Sequence, residues 1–209
     1  MRSPVYVFMD MDGVAVKYSR ADYITPGEPG DIPAWLKPGY FERLDADERA
    51  VAIAKWLIEL SRLQRHLHFR FLSGVSNDRR YTRRQIDEKR NWLEKIFGAS
   101  AGNLLVPVTC GNKVRTARQW IIDNATYCPH YTNSGQLFIR CLLIDDYKKN
   151  LKEWENAGGT AIKYCNGINS EPTKTSECLF IHEKASVLEA EDFLEYVIEL
   201  AGISSCKGF

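Results

Sequence analysis

Acidic residues occur in two closely spaced pairs, each directly after a short apolar segment. Asp10 and Asp12 follow the run 5–9, and Asp145 and Asp146 follow a second apolar run. Short runs of β-branched and aromatic residues predict buried strands, which would deliver the carboxylates at their carboxyl ends. Clustered carboxylates form an oxygen-rich pocket that suits Mg²⁺ and leaves room for water and phosphate. We therefore expect all four aspartates to contribute to a magnesium site.

The first acidic pair has a spacing that fits covalent phosphoryl transfer. Asp10 would bind the metal through one oxygen and attack phosphorus with the other, forming an aspartyl-phosphate. Asp12, two residues further on, would protonate the leaving alkoxide and then deprotonate the attacking water. Gly13 would let the backbone turn sharply with no Cβ atom in the way. The pair thus predicts a nucleophile and its acid/base partner.

Phosphate-binding groups are predicted between the two acidic pairs. Ser73 follows the apolar run 67–72 and can donate its hydroxyl, and the amides of Gly74 and Val75 lie where the chain turns toward the next helix. Lys113 opens a later helix and can supply a compact positive charge. Without that charge, neighbouring aspartates would raise one another's pKa. A transferring phosphoryl group needs such donors and a cation in addition to the metal.

Strands and helices alternate along most of the chain, which indicates an α/β fold with a parallel sheet. Apolar runs predict strands at 5–9, 67–72, 104–108, 137–144, 160–164 and 178–181. Helical periodicity predicts helices at 47–64, 79–97, 113–125, 148–157 and 185–201. Ligands of such sheets bind beyond the carboxyl ends of the strands. The acidic pairs and Ser73 lie at such ends, so the fold would gather them in one site.

Residues 17–46 interrupt this alternation. The segment is rich in proline and glycine, which predicts an irregular cap insertion with little regular structure. Its aromatic residues Trp35, Tyr40 and Phe41 could anchor the insertion on the core or stack on a substrate, and the sequence leaves both roles open. We expect one domain over residues 1–209 that carries this small cap.

Composition limits the class of protein. The chain has 209 residues, of which 44% are hydrophobic and 26% charged, and this suits one globular domain. Lys and Arg number 28 against 27 Asp and Glu, a net charge of +1, which disfavours a general polyanion binder. No apolar run approaches the ~20 residues that span a bilayer. The six cysteines form no C-x-x-C pair, so we expect reduced thiols in a soluble, cytoplasmic protein without a membrane partner.

The order of these residues resembles the four signature segments of the haloacid dehalogenase-like (HAD) phosphohydrolase superfamily. The matching segments are Asp10-Met11-Asp12-Gly13-Val14, Phe71-Leu72-Ser73-Gly74, Lys113 and Leu142-Leu143-Ile144-Asp145-Asp146. The resemblance covers residues 5 to about 165. It implies a three-layer α/β/α Rossmann-like core with a parallel sheet, and a phosphatase with an Mg²⁺ cofactor. It also implies the first aspartate as nucleophile and the second as acid/base.

A finer resemblance is to the 5′(3′)-deoxyribonucleotidase branch of that superfamily. The segments that carry it are 38–41, 144–146 and 154–159. It implies a nucleoside monophosphate as substrate, with Tyr40 or Phe41 helping to hold the base. The sequence departs from the branch where Tyr147 replaces an expected arginine and Ser73-Gly74-Val75 replaces a Thr-Ser-Pro type loop. The insertion is also shorter than the helical cap of the branch.

Two other functions stay open from the sequence. The segment 79–90 is rich in basic residues, and acidic residues lie between them. The basic residues are Arg79, Arg80, Arg83, Arg84, Lys89 and Arg90. Interleaved charges favour a solvated helix face. As a track for a nucleic-acid backbone, they would instead indicate a polynucleotide 3′-phosphatase acting on nucleic-acid ends. The second alternative is a non-catalytic HAD-like domain that binds a nucleotide or a partner. A phosphorelay receiver domain is disfavoured, because there the paired acids come first and here they come last.

Overall fold

Six parallel strands form a single sheet in the computed structural model, which describes residues 3–19, 22, 32–124, 140–167 and 179–203. The strands are β1 Val5–Met9, β2 Leu67–Gly74, β3 Leu105–Val108, β4 Cys141–Asp145, β5 Thr160–Tyr164 and β6 Leu179–Ile181. Their spatial order is β3-β2-β1-β4-β5-β6. The chain order reverses direction beside β1, and an open α/β sheet binds ligands at such a switch point.

The register of the central strands brings the carboxyl ends of β1 and β4 to one level, while β2 continues past that level to Gly74. Met9 pairs with Phe71 of β2 on one side and with Ile144 of β4 on the other. Asp10 and Asp145, the residues that follow in the chain, therefore leave the sheet at the same edge. This register places the two acidic segments beside each other.

Helices cover both faces of the sheet. They are α1 Glu48–Leu63, α2 Arg79–Phe97, α3 Lys113–Asn124, α4 Lys148–Asn156 and α5 Val187–Ile203. One apolar core joins the sheet to α1, α2 and α5, and a second joins it to α3 and α4. Alternate β1 side chains enter different cores, Val7 the first and Phe8 the second. The predicted three-layer α/β/α arrangement with a parallel sheet is confirmed.

The predicted elements are present, and several boundaries differ. The strand at 67–72 continues to Gly74, so Ser73 is a strand residue rather than the start of a turn. The last helix begins at Val187, because Ser186 and Glu189 form a reciprocal cap there: Ser186 Oγ accepts from the Glu189 amide, and Glu189 Oε2 accepts from the Ser186 amide. Residues 125, 137–139 and 178 lie outside the described residues.

Residues 32–46 of the insertion, which we name the cap segment, lie along α2. The segment contains two short 3₁₀ turns, Ala34–Leu36 and Phe41–Arg43. Both carboxylate oxygens of Glu88 accept hydrogen bonds from the backbone of the cap segment. The Gly39 amide donates at 2.7 Å and the Phe41 amide at 3.3 Å. Four further α2 side chains bond to it, namely Arg84 to Leu36 O, Gln85 to Trp35 O, Asn91 to Glu42 and Trp92 to Leu44 O.

No helix in the described ranges combines the length and the apolar character that crossing a membrane requires. The thiols of Cys110, Cys141 and Cys165 are not joined in disulfides, as expected for these three residues. Cys128, Cys178 and Cys206 lie outside the described residues.

Candidate active site

Three aspartates form a buried cluster at the carboxyl edge of the sheet. Asp10 follows β1, Asp145 ends β4, and Asp146 comes next in the chain. One carboxylate oxygen from each lies within 4.8 Å of the other two. Carboxylates this close repel one another unless a cation neutralises them. The cluster is therefore a candidate site for a divalent cation.

Lys113, the first residue of α3, supplies one such positive charge. Its Nζ atom lies 2.7 Å from Oδ2 of Asp10 and 2.7 Å from Oδ2 of Asp145. Burial lowers the pKa of Lys113, but its ion pairs with Asp10 and then Asp145 outweigh burial and hold the pKa above its ordinary value. The ammonium thus stays protonated and links the first acidic segment to the last.

Asp145 and Asp146 have different surroundings. Asp145 accepts from the Tyr147 amide at 2.7 Å through Oδ1, and from Lys113 and Asn150 through Oδ2. Burial raises the pKa of Asp145, and Lys113 opposes that shift. Oδ2 of Asp146 accepts from Asn166 at 2.9 Å. Asp145 is thus tied to Lys113, Asn150 and the Tyr147 amide, whereas Asp146 is tied to Asn166.

Gly13 is required by the position of Asp146. Its φ angle is +83°, and a Cβ atom there would lie 2.3 Å from Oδ2 of Asp146. The side-chain Nδ2 of Asn166 also donates to the Gly13 carbonyl at 2.5 Å. Asn166 was not found from the sequence, because it lies beyond a strand with no recognisable motif around it.

The Asp12 carboxylate lies outside the three-aspartate cluster. Its Oδ2 atom is 2.7 Å from the Nζ atom of Lys89, and its buried Oδ1 atom has no hydrogen-bond partner among the described residues. Burial raises the pKa of Asp12, the nearby Asp10 adds to this shift, and Lys89 opposes it. The geometry does not support the expectation that this carboxylate is a metal ligand, because Lys89 draws it away from the cluster. A raised pKa is consistent with a proton donor.

Lys89 corrects the interpretation of the basic segment. It is fully buried, and its Nζ atom donates to Asp12 and, at 2.8 Å, to Oγ of Ser73. The prediction of a solvated face is wrong for this residue, whereas Arg79, Arg80, Arg83 and Arg90 are exposed as expected. The sequence did contain a signal. Lys89 lies three and four residues before the apolar Trp92 and Leu93, the spacing of one helix face.

A cavity of about 360 Å³ opens beside Asp12. The predicted phosphate-binding groups at Ser73, Gly74 and Val75 differ in their position relative to this cavity. Gly74 lines this cavity, and Ser73 is fully buried next to it. The Val75 amide donates to the Val108 carbonyl at 3.1 Å, so the expectation that it serves phosphate is wrong. Its hydrogen bond joins the turn after β2 to the end of β3.

The two aromatic residues expected at the substrate have different positions. Phe41 lines the cavity together with Trp35. Tyr40 is buried, does not line this cavity, and donates its hydroxyl to Asp22 at 3.0 Å. The two rings pack edge to face with their centroids 5.0 Å apart. Phe41 is therefore placed to contact a ligand, and Tyr40 anchors the insertion.

Comparisons with known proteins support the fold. No protein-family model matches the chain, and no curated protein matches it by sequence. Among solved structures, a HAD-superfamily hydrolase from Ehrlichia chaffeensis is similar, with a TM-score of 0.52 and 9% sequence identity, over 95% of this chain and 99% of that one. A likeness at this identity shows the fold alone. The chain has the fold of this HAD-superfamily hydrolase, and its buried cluster of three aspartates lies at the carboxyl edge of the sheet.

Proposed function

We propose that the protein is an Mg²⁺-dependent phosphomonoesterase that acts through an aspartyl-phosphate on Asp10. The observation that carries this proposal is the ammonium of Lys113, 2.7 Å from both Asp10 and Asp145, beside the third carboxylate Asp146. A nucleophilic carboxylate, a fixed cation and further hard oxygen ligands are what phosphoryl transfer requires.

The donor set fits Mg²⁺. All three groups are carboxylates, and hard oxygen ligands are preferred by this ion. Asp10 and Asp146 would hold the metal, and Asp145 would hold Lys113. When bound, Mg²⁺ would neutralise charge on the phosphoryl oxygens. The chain's own contribution is to fix the carboxylates, and the Met11 amide does so for Asp10 by donating to Oδ1 at 2.8 Å.

The first half-reaction transfers the phosphoryl group to the protein. A carboxylate oxygen of Asp10 forms a bond to phosphorus as the bond to the leaving oxygen breaks. Asp12 gives its proton to that leaving oxygen, so a neutral alcohol departs. Lys113 offsets the negative charge of the neighbouring carboxylates as the phosphoryl group approaches, and the Ser73 hydroxyl donates to a phosphoryl oxygen.

The second half-reaction returns the protein to its starting state. Asp12, now ionised, takes a proton from water as the water oxygen bonds to phosphorus and the bond from phosphorus to Asp10 breaks. Phosphate leaves, Asp10 is again a carboxylate, and Asp12 again holds a proton. The same side chain thus acts as acid and then as base.

We further propose nucleoside monophosphates as the substrate class, because of the wall chemistry of the cavity. Trp35 and Phe41 form an aromatic side, Val75 and Val108 add apolar surface, and the remaining wall is polar and uncharged apart from Asp12. Such a pocket suits a neutral, flat leaving group that also forms hydrogen bonds. Among the described residues that line it, none offers a cation to a second phosphate or a carboxylate.

The runner-up is a phosphorylated nucleic-acid end. A second cavity of about 470 Å³ on the outer side of α2 is lined by Arg80, Arg83 and Arg84, which could contact backbone phosphates. Acidic residues share that cavity, including Asp87 and Glu88, and they weaken its attraction for a polyanion.

A substrate panel tests both proposals. Phosphate release is measured with Mg²⁺ and with EDTA, at two salt concentrations, for 5′- and 3′-nucleoside monophosphates of both sugars, sugar phosphates and a 3′-phosphorylated oligonucleotide. We expect monophosphates to have the highest kcat/KM by at least roughly tenfold, about 1.4 kcal/mol of transition-state binding. An oligonucleotide preference that collapses at high salt would support the runner-up. A complete lack of Mg²⁺-dependent release would leave a non-catalytic binding domain.

A further inference from the structure

Lys89 has surroundings that a surface lysine of α2 would not have. It is fully buried, and its Nζ atom lies 2.7 Å from Asp12 Oδ2 and 2.8 Å from Ser73 Oγ. The same atom lies 4.2 Å from the ring centroid of Phe41. The ammonium therefore contacts the acid/base residue, a predicted phosphate ligand and the cap segment at once.

These contacts account for the donors of the ammonium. A lysine has three N–H donors. Two of them serve Asp12 and Ser73, and the positive charge lies over the negative face of the Phe41 ring. With its side chain shielded from solvent, Lys89 faces protein groups and not the cavity. Its effect on a substrate must pass through its neighbours.

Lys89 also determines which atoms of its neighbours face the reaction. The ammonium donates a hydrogen bond to Oδ2 of Asp12. The buried Oδ1 atom of Asp12 has no hydrogen-bond partner among the described residues. The Ser73 oxygen accepts from Lys89, so the single proton of that hydroxyl must point elsewhere, which makes it a donor for another group.

We infer that Lys89 is a positioning residue that presents Oδ1 of Asp12 to the leaving oxygen and the hydroxyl proton of Ser73 to the phosphoryl group. This inference rests on the proposed function and adds a residue to it. Buried ion pairs are weak devices for stability, because desolvation offsets the attraction. An ammonium at this position is better explained by the two groups that it orients.

The test separates acid catalysis from general damage. Lys89→Met keeps the length of the side chain and removes the charge, Lys89→Arg keeps the charge, and Lys95→Met on the exposed part of α2 is the matched control. Each is assayed for kcat/KM with p-nitrophenyl phosphate and with phenyl phosphate. These esters differ only in the para-nitro group, which lets p-nitrophenolate leave without protonation, whereas the phenyl ester depends on a proton at its leaving oxygen. Far-UV circular dichroism and thermal unfolding confirm that each variant is folded.

If Lys89 positions Asp12, Lys89→Met lowers kcat/KM for phenyl phosphate at least about tenfold more than for p-nitrophenyl phosphate, since general acid catalysis contributes roughly 10²–10⁴-fold. Lys89→Arg recovers part of the loss, and Lys95→Met matches the wild type. In an Asp12→Asn background, Lys89→Met adds little further selectivity between the two esters, because the residue it orients is already neutral. In this double variant neither position carries a charge, so no buried charge is left unpaired. The selectivity between the two esters can therefore still be measured if Lys89→Met alone unfolds.

Equal losses on both esters in a folded Lys89→Met variant would overturn the inference and leave the proposed function intact. The same conclusion would follow if the selectivity loss persisted in full in the Asp12→Asn background. A wild-type protein without Mg²⁺-dependent activity on either ester would overturn the proposed function, and the inference with it.

Discussion

The Nζ atom of Lys113 lies 2.7 Å from Oδ2 of Asp10, so the proposed nucleophile is paired with a cation before any substrate binds. This ion pair fixes the direction of the Asp10 carboxylate. The roles expected of Asp10 and Asp145 both depend on the position of Lys113.

Replacing Asp10 with asparagine should abolish turnover and preserve the fold. Asp10→Asn removes the nucleophilic oxygen and one charge, and loss of a nucleophile costs at least roughly 10³-fold in kcat. The measurement is phosphate release with the best substrate of the panel. Asp123→Asn, at an exposed position of α3, is the matched control and should keep the wild-type rate. Retention of a substantial rate by Asp10→Asn would rule out the covalent mechanism.

Asp145 and Asp146 should differ in their effect on magnesium. Asp146→Asn removes the carboxylate proposed as the direct ligand, and we expect the half-saturating Mg²⁺ concentration to rise at least about tenfold. Asp145→Asn releases Lys113 and should change this concentration less, while lowering kcat. Mg²⁺ should also raise the melting temperature of the wild type and leave that of Asp146→Asn almost unchanged. Small, equal effects of both changes would mean that the metal lies elsewhere.

Phe41 and Tyr40 should contribute differently to substrate binding. Phe41→Ala removes an aromatic wall of the cavity and should lower kcat/KM for nucleoside monophosphates by at least roughly tenfold more than for a small sugar phosphate. Tyr40→Phe removes only the hydroxyl that bonds to Asp22 and should spare kcat/KM for both classes. A uniform loss in Phe41→Ala would instead show that this ring only supports the fold.

The stability of the protein should fall in alkaline solution partly through Cys141. Burial raises the pKa of this thiol from 9.0 to about 12. Between these values the unfolded chain loses the proton while the folded chain keeps it, so the free energy of unfolding declines as pH rises. Cys141→Ala should remove about 2 kcal/mol of the decline between about pH 9 and about pH 11. Urea unfolding at both pH values measures this. Cys110→Ala should not reduce the decline, because a hydrogen bond at Asn112 lowers the pKa of that exposed thiol rather than raising it.

The sequence predicted the parallel sheet because strand signals and helix signals are local. The run Val5–Met9 is apolar at every position and is buried on both faces, as a central parallel strand must be. The same logic placed Asp10 and Asp145 at strand ends. Their mutual distance follows from the register of β1 with β4, which depends on contacts between residues far apart in the chain.

The sequence did not reveal the roles of Lys89 and Asn166, because each acts through tertiary contacts. Lys89 belongs to a strongly charged helix, where composition favours solvent, and only its position relative to Trp92 indicates burial. The roles of Tyr40 and Phe41 could not be separated either. Neighbouring aromatic residues look alike in sequence, and the 3₁₀ turn at Phe41–Arg43 decides which ring reaches the cavity.

The attachment of the cap segment to α2 bears on how a substrate would be positioned. Glu88 accepts from two backbone amides of the segment, and Gln85 and Trp92 donate to two of its carbonyls. The aromatic wall of the cavity, Trp35 and Phe41, is therefore held by the same helix that carries Lys89, the partner of Asp12. On the proposed mechanism, one helix then determines both where the leaving group binds and where its proton donor lies.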